Sequence, residues 1–252
     1  SCAWSYGLAG NDHLQVDCPG GWTGTACVNA GARVITLADV KADKYVSTVI
    51  TRANEHLKAI GYTEHGHRHA ALVSSISRNI LLRLGHSDRD AELAAIAAYM
   101  HDIGNVVSRD HHWVIGASMA LSHLRSLGMA DDDALTVANA IGNHEESSGD
   151  SSSPVAAALI IADKSDVHRS RVQNPSEADF DIHDRVNHAV EKSFVNVDAE
   201  ARTISLQLTI DTSSSSVMEY FEIFLSRMVM ARSAAVTLGC SFEIVANDQR
   251  LA

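Results

Sequence analysis

Residues 94–104 read Ala-Ala-Ile-Ala-Ala-Tyr-Met-His-Asp-Ile-Gly, an apolar run that ends in His101 and Asp102. A helix that is apolar on all sides belongs in a protein core. An imidazole and a carboxylate at the end of such a helix lie where water is scarce. Buried charge of that kind is costly unless it is paired or bound to a metal ion. The pair therefore predicts a metal site, whose other ligands should occur elsewhere in the chain.

The composition is that of an ordinary globular protein. The chain has 252 residues, of which 46% are apolar and 20% are charged, enough for one large domain or a domain with a small appendage. A net charge of −11 argues against a nucleic-acid polymer as partner. It leaves a small phosphorylated substrate open, because a metal ion supplies local positive charge. No apolar run reaches 18 residues and no signal peptide is evident, so we expect a cytoplasmic protein without a membrane span.

Residues 1–36 differ from the rest of the chain and are expected to form an irregular extension. They are rich in Gly, Cys, Trp and Asn, and they include Cys2, Cys18 and Cys27. A zinc site or a disulfide among these cysteines is one alternative. Since no close Cys-x-x-Cys pair occurs, we favour reduced thiols in a cytoplasmic protein.

Helical periodicity dominates the middle of the chain. Val46, Val49, Ile50, Ala53 and Leu57, for example, recur at the spacing of one helix face. Glycines close the first two predicted helices, and a serine caps the third. The predicted helices cover residues 37–60, 67–84, 88–101, 112–127, 132–142 and 154–168.

The last third of the chain changes to strand periodicity. Residues 193–197 and 203–210 alternate apolar and polar side chains around a short turn, which predicts a β-hairpin. A helix over 215–238 and a strand over 240–245 should follow. The predicted fold is therefore mainly α: an extension (1–36), a helical bundle (37–190) and a small C-terminal β-β-α-β subdomain (191–252). The core face of the 215–238 helix is expected to consist of Val217, Met218, Tyr220, Phe221, Phe224, Leu225 and Met228, with a dimer seam as the alternative for this face.

Ten of the 14 histidines fall between residues 65 and 168. His69, His112 and His144 lie on or at the end of predicted helices, and Asp163 follows the apolar run 158–162. Imidazole and carboxylate sets suit Fe, Mn, Co, Ni or Zn better than Mg alone. A carboxylate such as Asp102 could also bridge two ions.

The order of His, then His-Asp, then Asp resembles that of HD-domain metal-dependent phosphohydrolases, and His101-Asp102-Ile103-Gly104 matches the HDIG form. The resemblance covers about residues 45–170 and implies an all-helical fold. It also implies two divalent transition-metal ions. The first would be held by His69, His101 and Asp163, the second by His112 and His144, with Asp102 as the bridge.

The implied activity is hydrolysis of a phosphate ester in a nucleotide or another small phosphorylated metabolite by a metal-activated water. Asp102 would be essential, and His65 or Lys164 are the candidates for the general acid. Arginine forks match phosphate oxygens, although the charged segment 163–171 could equally be a solvated helix face. The candidate substrate-binding residues are Arg68, Arg109, Lys164, Arg169 and Arg171.

Other branches and functions remain open. The chain lacks the Gly-Tyr-Pro string of the branch that cleaves cyclic di-GMP, and it lacks the Glu-Asp pair of the alarmone-hydrolysing branch. A mixed-valent di-iron oxygenase is one alternative function, and a non-catalytic nucleotide-sensing protein is another. A homodimer is also expected, formed through an exposed sheet edge or the 215–238 helix.

Overall fold

The computed structural model describes residues 34–147 and 149–251. The predicted N-terminal extension and its three cysteines therefore lie outside the described residues, apart from residues 34–36. Cys240, which is described, is a buried free thiol. The boundaries at residues 36 and 190 stay predictions.

The first predicted helix is two helices, α1 (Leu37–Ala42) and α2 (Lys44–Ala59). Asp43 separates them with an extended backbone (φ −75°, ψ 125°), and its side chain accepts a hydrogen bond from the Val46 N–H. The prediction of one continuous helix was wrong because an aspartate is a strong N-cap that competes with the helix interior.

Helices α3 (His67–Arg83) and α4 (Asp88–Met100) pack side by side. Every residue of 93–100 is buried, as the apolar run predicts. Alanines on α4 let α3 approach closely, and Ser74 donates a hydrogen bond to the Ala95 carbonyl oxygen at 2.8 Å. This contact joins the middle of α3 to the middle of α4.

Three further helices complete the bundle: α5 (His112–Ser126), α6 (Asp131–Gly142) and α7 (Pro154–Ser165). Helix α7 lies at the centre and packs against α3, α4 and α6. It ends at Ser165 rather than at the predicted residue 168, because Asp166 leaves the helical conformation (φ −79°, ψ 78°). A 3₁₀ turn over Ile103–Val106 joins α4 to α5. A Cβ on Gly104 in that turn would collide with the His112 carbonyl, so only glycine fits.

The C-terminal part contains helix α8 (Ile182–Ala189), which the sequence analysis missed, followed by β1 (Val190–Asp198), β2 (Thr203–Ile210), α9 (Val217–Thr237), β3 (Ser241–Ala246) and β4 (Gln249–Arg250). The sheet order is β1-β2-β3-β4. Strands β1 and β2 form the predicted antiparallel hairpin, whereas β2 and β3 are parallel. The mainly helical fold with a small C-terminal sheet is thus confirmed.

Helix α9 packs on α7 and β3 through Tyr220, Phe224 and Met228. Leu225 and Met218 were wrongly assigned to this core face, since they are 57% and 69% exposed. In the second half of α9 the buried face consists of alanines instead. The side of the helix that carries Leu225 and Met218 therefore faces away from the core. In the described residues, no helix combines the length and apolar character needed to cross a membrane.

Candidate metal centre

The metal ligands predicted from the sequence converge at one place in the bundle. They come from helix ends: the first turn of α3, the end of α4, the first residue of α5, the residues after α6 and the last turn of α7. The chain leaves α4 at Asp102 (φ −95°, ψ 1°), so that neighbouring side chains turn toward the same point. The six side chains, all nearly or fully buried, are His69, His101, Asp102, His112, His144 and Asp163.

The first ligand group consists of His69, His101 and Asp163 with one oxygen of Asp102. The His69 Nε2 lies 3.2 Å from His101 Nε2, 3.2 Å from Asp163 Oδ1 and 3.5 Å from Asp102 Oδ2. The His101 Nε2 lies 3.1 Å from Asp102 Oδ2 and 3.4 Å from Asp163 Oδ1. Atoms that each bind one ion at about 2.0–2.2 Å stand roughly 3 Å apart. The spacing of this group therefore fits a single ion.

The second ligand group consists of His112 and His144 with the other oxygen of Asp102. The two Nε2 atoms are 3.2 Å apart. Asp102 Oδ1 lies 3.5 Å from His112 Nε2 and 3.9 Å from His144 Nε2. Asp102 thus turns one oxygen to each group, which is the arrangement of a bridging carboxylate.

Hydrogen bonds at the far side of each ring fix the histidine tautomers. The Nδ1 of His101, His112 and His144 faces a backbone carbonyl oxygen at 2.6–3.0 Å, and the Nδ1 of His69 faces Asp166 Oδ2 at 2.6 Å. Since these oxygens only accept, each Nδ1 carries the proton and each Nε2 presents a lone pair to the cluster. Metal-ligating histidines in proteins are oriented in this way.

Two observations within the cluster call for a cation. Lone pairs of paired Nε2 atoms face each other at 3.2 Å in both groups, which is repulsive unless a positive charge lies between them. Asp102 Oδ2 is buried and accepts no hydrogen bond from residues 34–147 or 149–251. The donor set of imidazole nitrogens and carboxylate oxygens suits divalent transition metals. The residues therefore fit the predicted ions.

The electrostatics of the cluster agree with this. Burial acts to lower the pKa of His101, but the carboxylates of Asp102 and Asp163 outweigh it and raise the pKa to about 10, so that in the absence of an ion His101 Nε2 holds a proton where the cation would lie. Burial acts to raise the pKa of both carboxyl groups, yet neighbouring cationic and imidazole groups hold those pKa values well below their usual range. The carboxylates remain ionised, and the site attracts positive charge.

Asp166 supports the first ligand group, and the sequence analysis did not single it out. Its carboxylate accepts hydrogen bonds from His69 Nδ1 and from the guanidinium of Arg68 at 2.8 and 3.3 Å. Arg171 donates from Nη1 to the Asp166 backbone oxygen and from Nε to the Glu64 backbone oxygen. Arg68 is thus committed to orienting a ligand rather than free for substrate. The available sequence signal was that Asp166 is an acidic residue three positions after Asp163, directly after the end of α7.

Lys164 connects Asp163 to the C-terminal part of the chain. The buried Lys164 Nζ donates to Asp163 Oδ2 at 2.8 Å and lies 3.4 Å from Glu146 Oε1. The same Glu146 pairs with Arg227 of α9 at 3.0 Å. Burial acts to lower the pKa of Lys164, but Asp163 and Glu146 raise it, so the ammonium stays charged. Lys164 therefore leaves Asp163 Oδ1 free to face the histidines.

The remaining candidates divide between the centre and the surface. The His65 ring packs against that of His69 with centroids 5.4 Å apart, and Arg109 Nη1 lies 3.3 Å from the His112 ring. Arg171 is buried, and its Nη2 has no hydrogen-bond partner in the described residues. Arg169 is half exposed and pairs with Glu191 on β1 at 2.9 Å, so its described contacts do not include the cluster.

Two side chains beside the second ligand group have contacts that the sequence did not predict: Glu145, and Asn105, which was a weaker candidate for contacting a substrate phosphate. Glu145 Oε2 lies 3.7 Å from His112 Nε2 and 3.9 Å from Arg109 Nη2. Asn105 donates to Asp102 Oδ1 at 3.0 Å and thereby holds the bridging carboxylate. Adjacency to His144 and to the HDIG stretch was the only sequence signal for them.

The fold and the cluster define a helical domain with a buried group of histidine and aspartate side chains whose spacing fits metal ions. Residues 66–169 match the family model of the HD domain, which confirms the resemblance over that part of the chain. A solved structure described as a predicted HD superfamily hydrolase, from an uncultured Thermotogales bacterium, is similar with 22% identity and a TM-score of 0.40. The similarity covers 50% of this chain and 68% of that one. No curated protein matches the chain significantly.

Proposed function

We propose that the protein is a metal-dependent phosphohydrolase that cleaves a phosphate ester of a nucleotide or another small phosphorylated metabolite. The observation that carries the proposal is the division of Asp102 between two ligand groups, with Oδ2 at 3.1 Å from His101 and Oδ1 at 3.5 Å from His112. Two divalent ions sharing a carboxylate are a recurring device of phosphoryl-transfer enzymes.

The ligand assignments follow from the two groups. His69, His101 and Asp163 would hold one ion and His112 and His144 the other, with Asp102 between them. When bound, such ions acidify a water molecule and stabilise negative charge on phosphoryl oxygens. Fe, Mn, Co, Ni and Zn suit the donors, and Mg is the weaker candidate.

Basic side chains beside the centre supply anion recognition. Arg171 is the strongest candidate, because its Nη2 is a buried cationic donor without a partner among the described residues, while Nε and Nη1 are fixed by backbone oxygens. A phosphate oxygen would satisfy that donor. Arg109, held over the Tyr62 ring at 5.2 Å beside His112, is the second candidate.

His65 and Lys164 have different roles in this proposal. His65 donates from Nδ1 to the Thr63 carbonyl oxygen at 2.6 Å, which leaves Nε2 free to accept a proton near the first ligand group. Lys164 is bound to Asp163 and Glu146, so it orients a ligand and contributes charge. His65 is therefore the preferred proton-transfer residue.

The test is a panel of phosphomonoesters and phosphodiesters, including nucleotides, assayed with each of Fe, Mn, Co, Ni, Zn and Mg. We expect Asp102→Asn to lower metal-dependent turnover at least about 100-fold, since removing one preorganised charged group commonly has that effect. The matched control is Asp132→Asn, an exposed aspartate on α6, which should keep full activity.

Retained activity in Asp102→Asn would exclude the proposed centre. Metal-loaded protein that hydrolyses nothing in the panel but binds a nucleotide tightly would instead favour a sensing role. Iron in protein purified without oxygen, with a mixed-valent paramagnetic signal and no hydrolysis, would favour an oxygenase.

A further inference from the structure

A stripe of exposed side chains runs along one face of α9, away from the face packed on α7. Its members are spaced alternately by four and three residues, the period of side chains in helix–helix seams. Four members are large apolar residues that are 49–69% exposed. The α9 stripe consists of Met218, Glu222, Leu225, Val229, Arg232 and Val236.

The apolar part of the α9 stripe is unusual for a surface helix. Exposed helix faces are normally polar, and single apolar residues there need no explanation. Here four of six successive stripe positions are apolar and lie in one line along 21 residues. Aligned apolar exposure of this kind marks an interaction surface.

The two charged members of the α9 stripe have no hydrogen-bond or ion-pair partner in the part of the chain that the structure describes. This contrasts with other charged residues of the same helix. Glu219 pairs with Arg185 at 2.9 Å, and Arg227 pairs with Glu146 at 3.0 Å. Glu222 and Arg232 are thus available to a partner.

The α9 stripe is complementary to itself when read in the opposite direction. A second copy lying antiparallel places Met218 opposite Val236 and Leu225 opposite Val229. The same alignment places Glu222 opposite Arg232 of the second copy, and the two-fold symmetry repeats that pair. Such a self-complementary patch is what an isologous dimer requires.

We propose that the α9 stripe is a homodimer interface in which α9 packs antiparallel against α9 of a second copy. The centre of the interface lies between Leu225 and Val229. Exposed Ser226 and Ser233 flank it, and their small side chains permit close approach of the helices. The proposal rests on the apolar line and the charge complementarity of α9, and is independent of the proposed enzymatic function.

The surroundings of the stripe agree with coverage by a second copy. A cavity of about 490 Å³ opens beside it and shares Leu225 and Val229 with it, while Met230 adds to its apolar wall. A helix pair of this length spans about 30 Å. Contacts around the cavity would extend the buried surface toward the roughly 800 Å² per partner of a stable interface.

Charge reversal tests the antiparallel register directly. The molar mass of the full chain is measured by light scattering and sedimentation from about 1 to 100 µM. We expect the unmodified chain to be dimeric. Glu222→Arg and Arg232→Glu, each alone, should raise the dimer dissociation constant at least about 100-fold, because each places like charges together twice.

Two combinations sharpen the test. The double variant Glu222→Arg, Arg232→Glu should dimerise again, because both pairs are opposite in sign. A 1:1 mixture of the two single variants should form a heterodimer, since one chain then carries two arginines and the other two glutamates. A parallel helix pair would place Glu222 opposite Glu222 and Arg232 opposite Arg232, so a single reversal would leave like charges opposite each other, as in the unmodified chain, and would not weaken the dimer. Only the antiparallel register predicts both the loss in the single variants and the recovery in the double variant.

Folding controls separate the interface from stability. Leu225→Glu should produce a monomer, whereas Leu135→Glu, at a similarly exposed leucine on α6 (53%), should leave the dimer intact. Circular dichroism should show unchanged folding for all variants. If the unmodified chain is a monomer at 100 µM, the proposal is overturned. This holds equally if residues 1–33 or another protein covers the stripe instead. So do single charge reversals that remain dimeric, or a mixture that remains monomeric.

Discussion

The two groups of candidate metal ligands share Asp102 but differ in how closely their side chains approach one another and in what holds them. In the first, the Nε2 atoms of two histidines lie 3.1–3.5 Å from each other and from the oxygens of two carboxylates, and a carboxylate orients His69. The second has two histidines, contacts to Asp102 of 3.5 and 3.9 Å, and only backbone carbonyls behind its rings. We therefore expect the two groups to bind ions with different affinities, the first group more tightly than the second.

Removing one histidine from each group is expected to have the largest effect. His144→Ala should leave about one tightly held ion per chain, because the first group is intact. His69→Ala should weaken the tight site at least about 100-fold, since even an outer partner is worth 10–100-fold in affinity. Metal content after dialysis and calorimetric titration measures both, and equal losses in the two variants would contradict the inequality.

Asp166→Asn tests the support of the first group and should have an intermediate effect. The amide oxygen can still accept from His69 Nδ1, but it lacks the charge that makes the ring a stronger ligand. We expect a 10–100-fold loss of affinity for the tighter ion and little change for the weaker one. Calorimetric titration distinguishes the two classes. Asp132→Asn is the control, and a variant with unaltered tight binding would make Asp166 structural only.

Glu145→Gln tests whether a nearby charge contributes to the second group, and it should have the smallest effect. Glu145 lies 3.7 Å from His112 Nε2. Unit charges about 4 Å apart interact by about 1 kcal/mol in water-like surroundings. We therefore expect about a fivefold weakening of the second ion, seen by titration of protein already holding the first. A loss as large as that of His144→Ala would make Glu145 a ligand.

The sequence was sufficient for the helical bundle because the apolar periodicities are strong. The run that ends at His101 and Asp102 is buried along 93–100 as predicted, and the hairpin of β1 and β2 follows its alternation. Asp43 broke the first helix because its side chain caps a new one. Helix α8 was missed, because its eight residues are mostly polar.

The sequence predicted those site residues that residue type and order along the chain are sufficient to identify. His69, His112 and Asp163 stand in recognisable local contexts. Asp166 was not assigned a role because its position depends on α7 ending one residue earlier, and a tertiary contact with His69 decides that. Glu145 and Glu146 look alike in sequence, yet one faces His112 and the other Lys164, which only the conformation after α6 determines.

The chain of contacts from Asp163 through Lys164 and Glu146 to Arg227 has a consequence for modularity. The segment that matches the HD family ends at residue 169, but the charge balance of its metal ligands extends to a side chain 58 positions further along, on α9. Without Arg227, Glu146 would have Lys164 as its cationic partner. The stronger pairing of Lys164 with Glu146 would then weaken the pairing of Lys164 with Asp163. The segment that matches the HD family therefore does not contain the whole charge network of the candidate ligands, because one end of that network lies on α9.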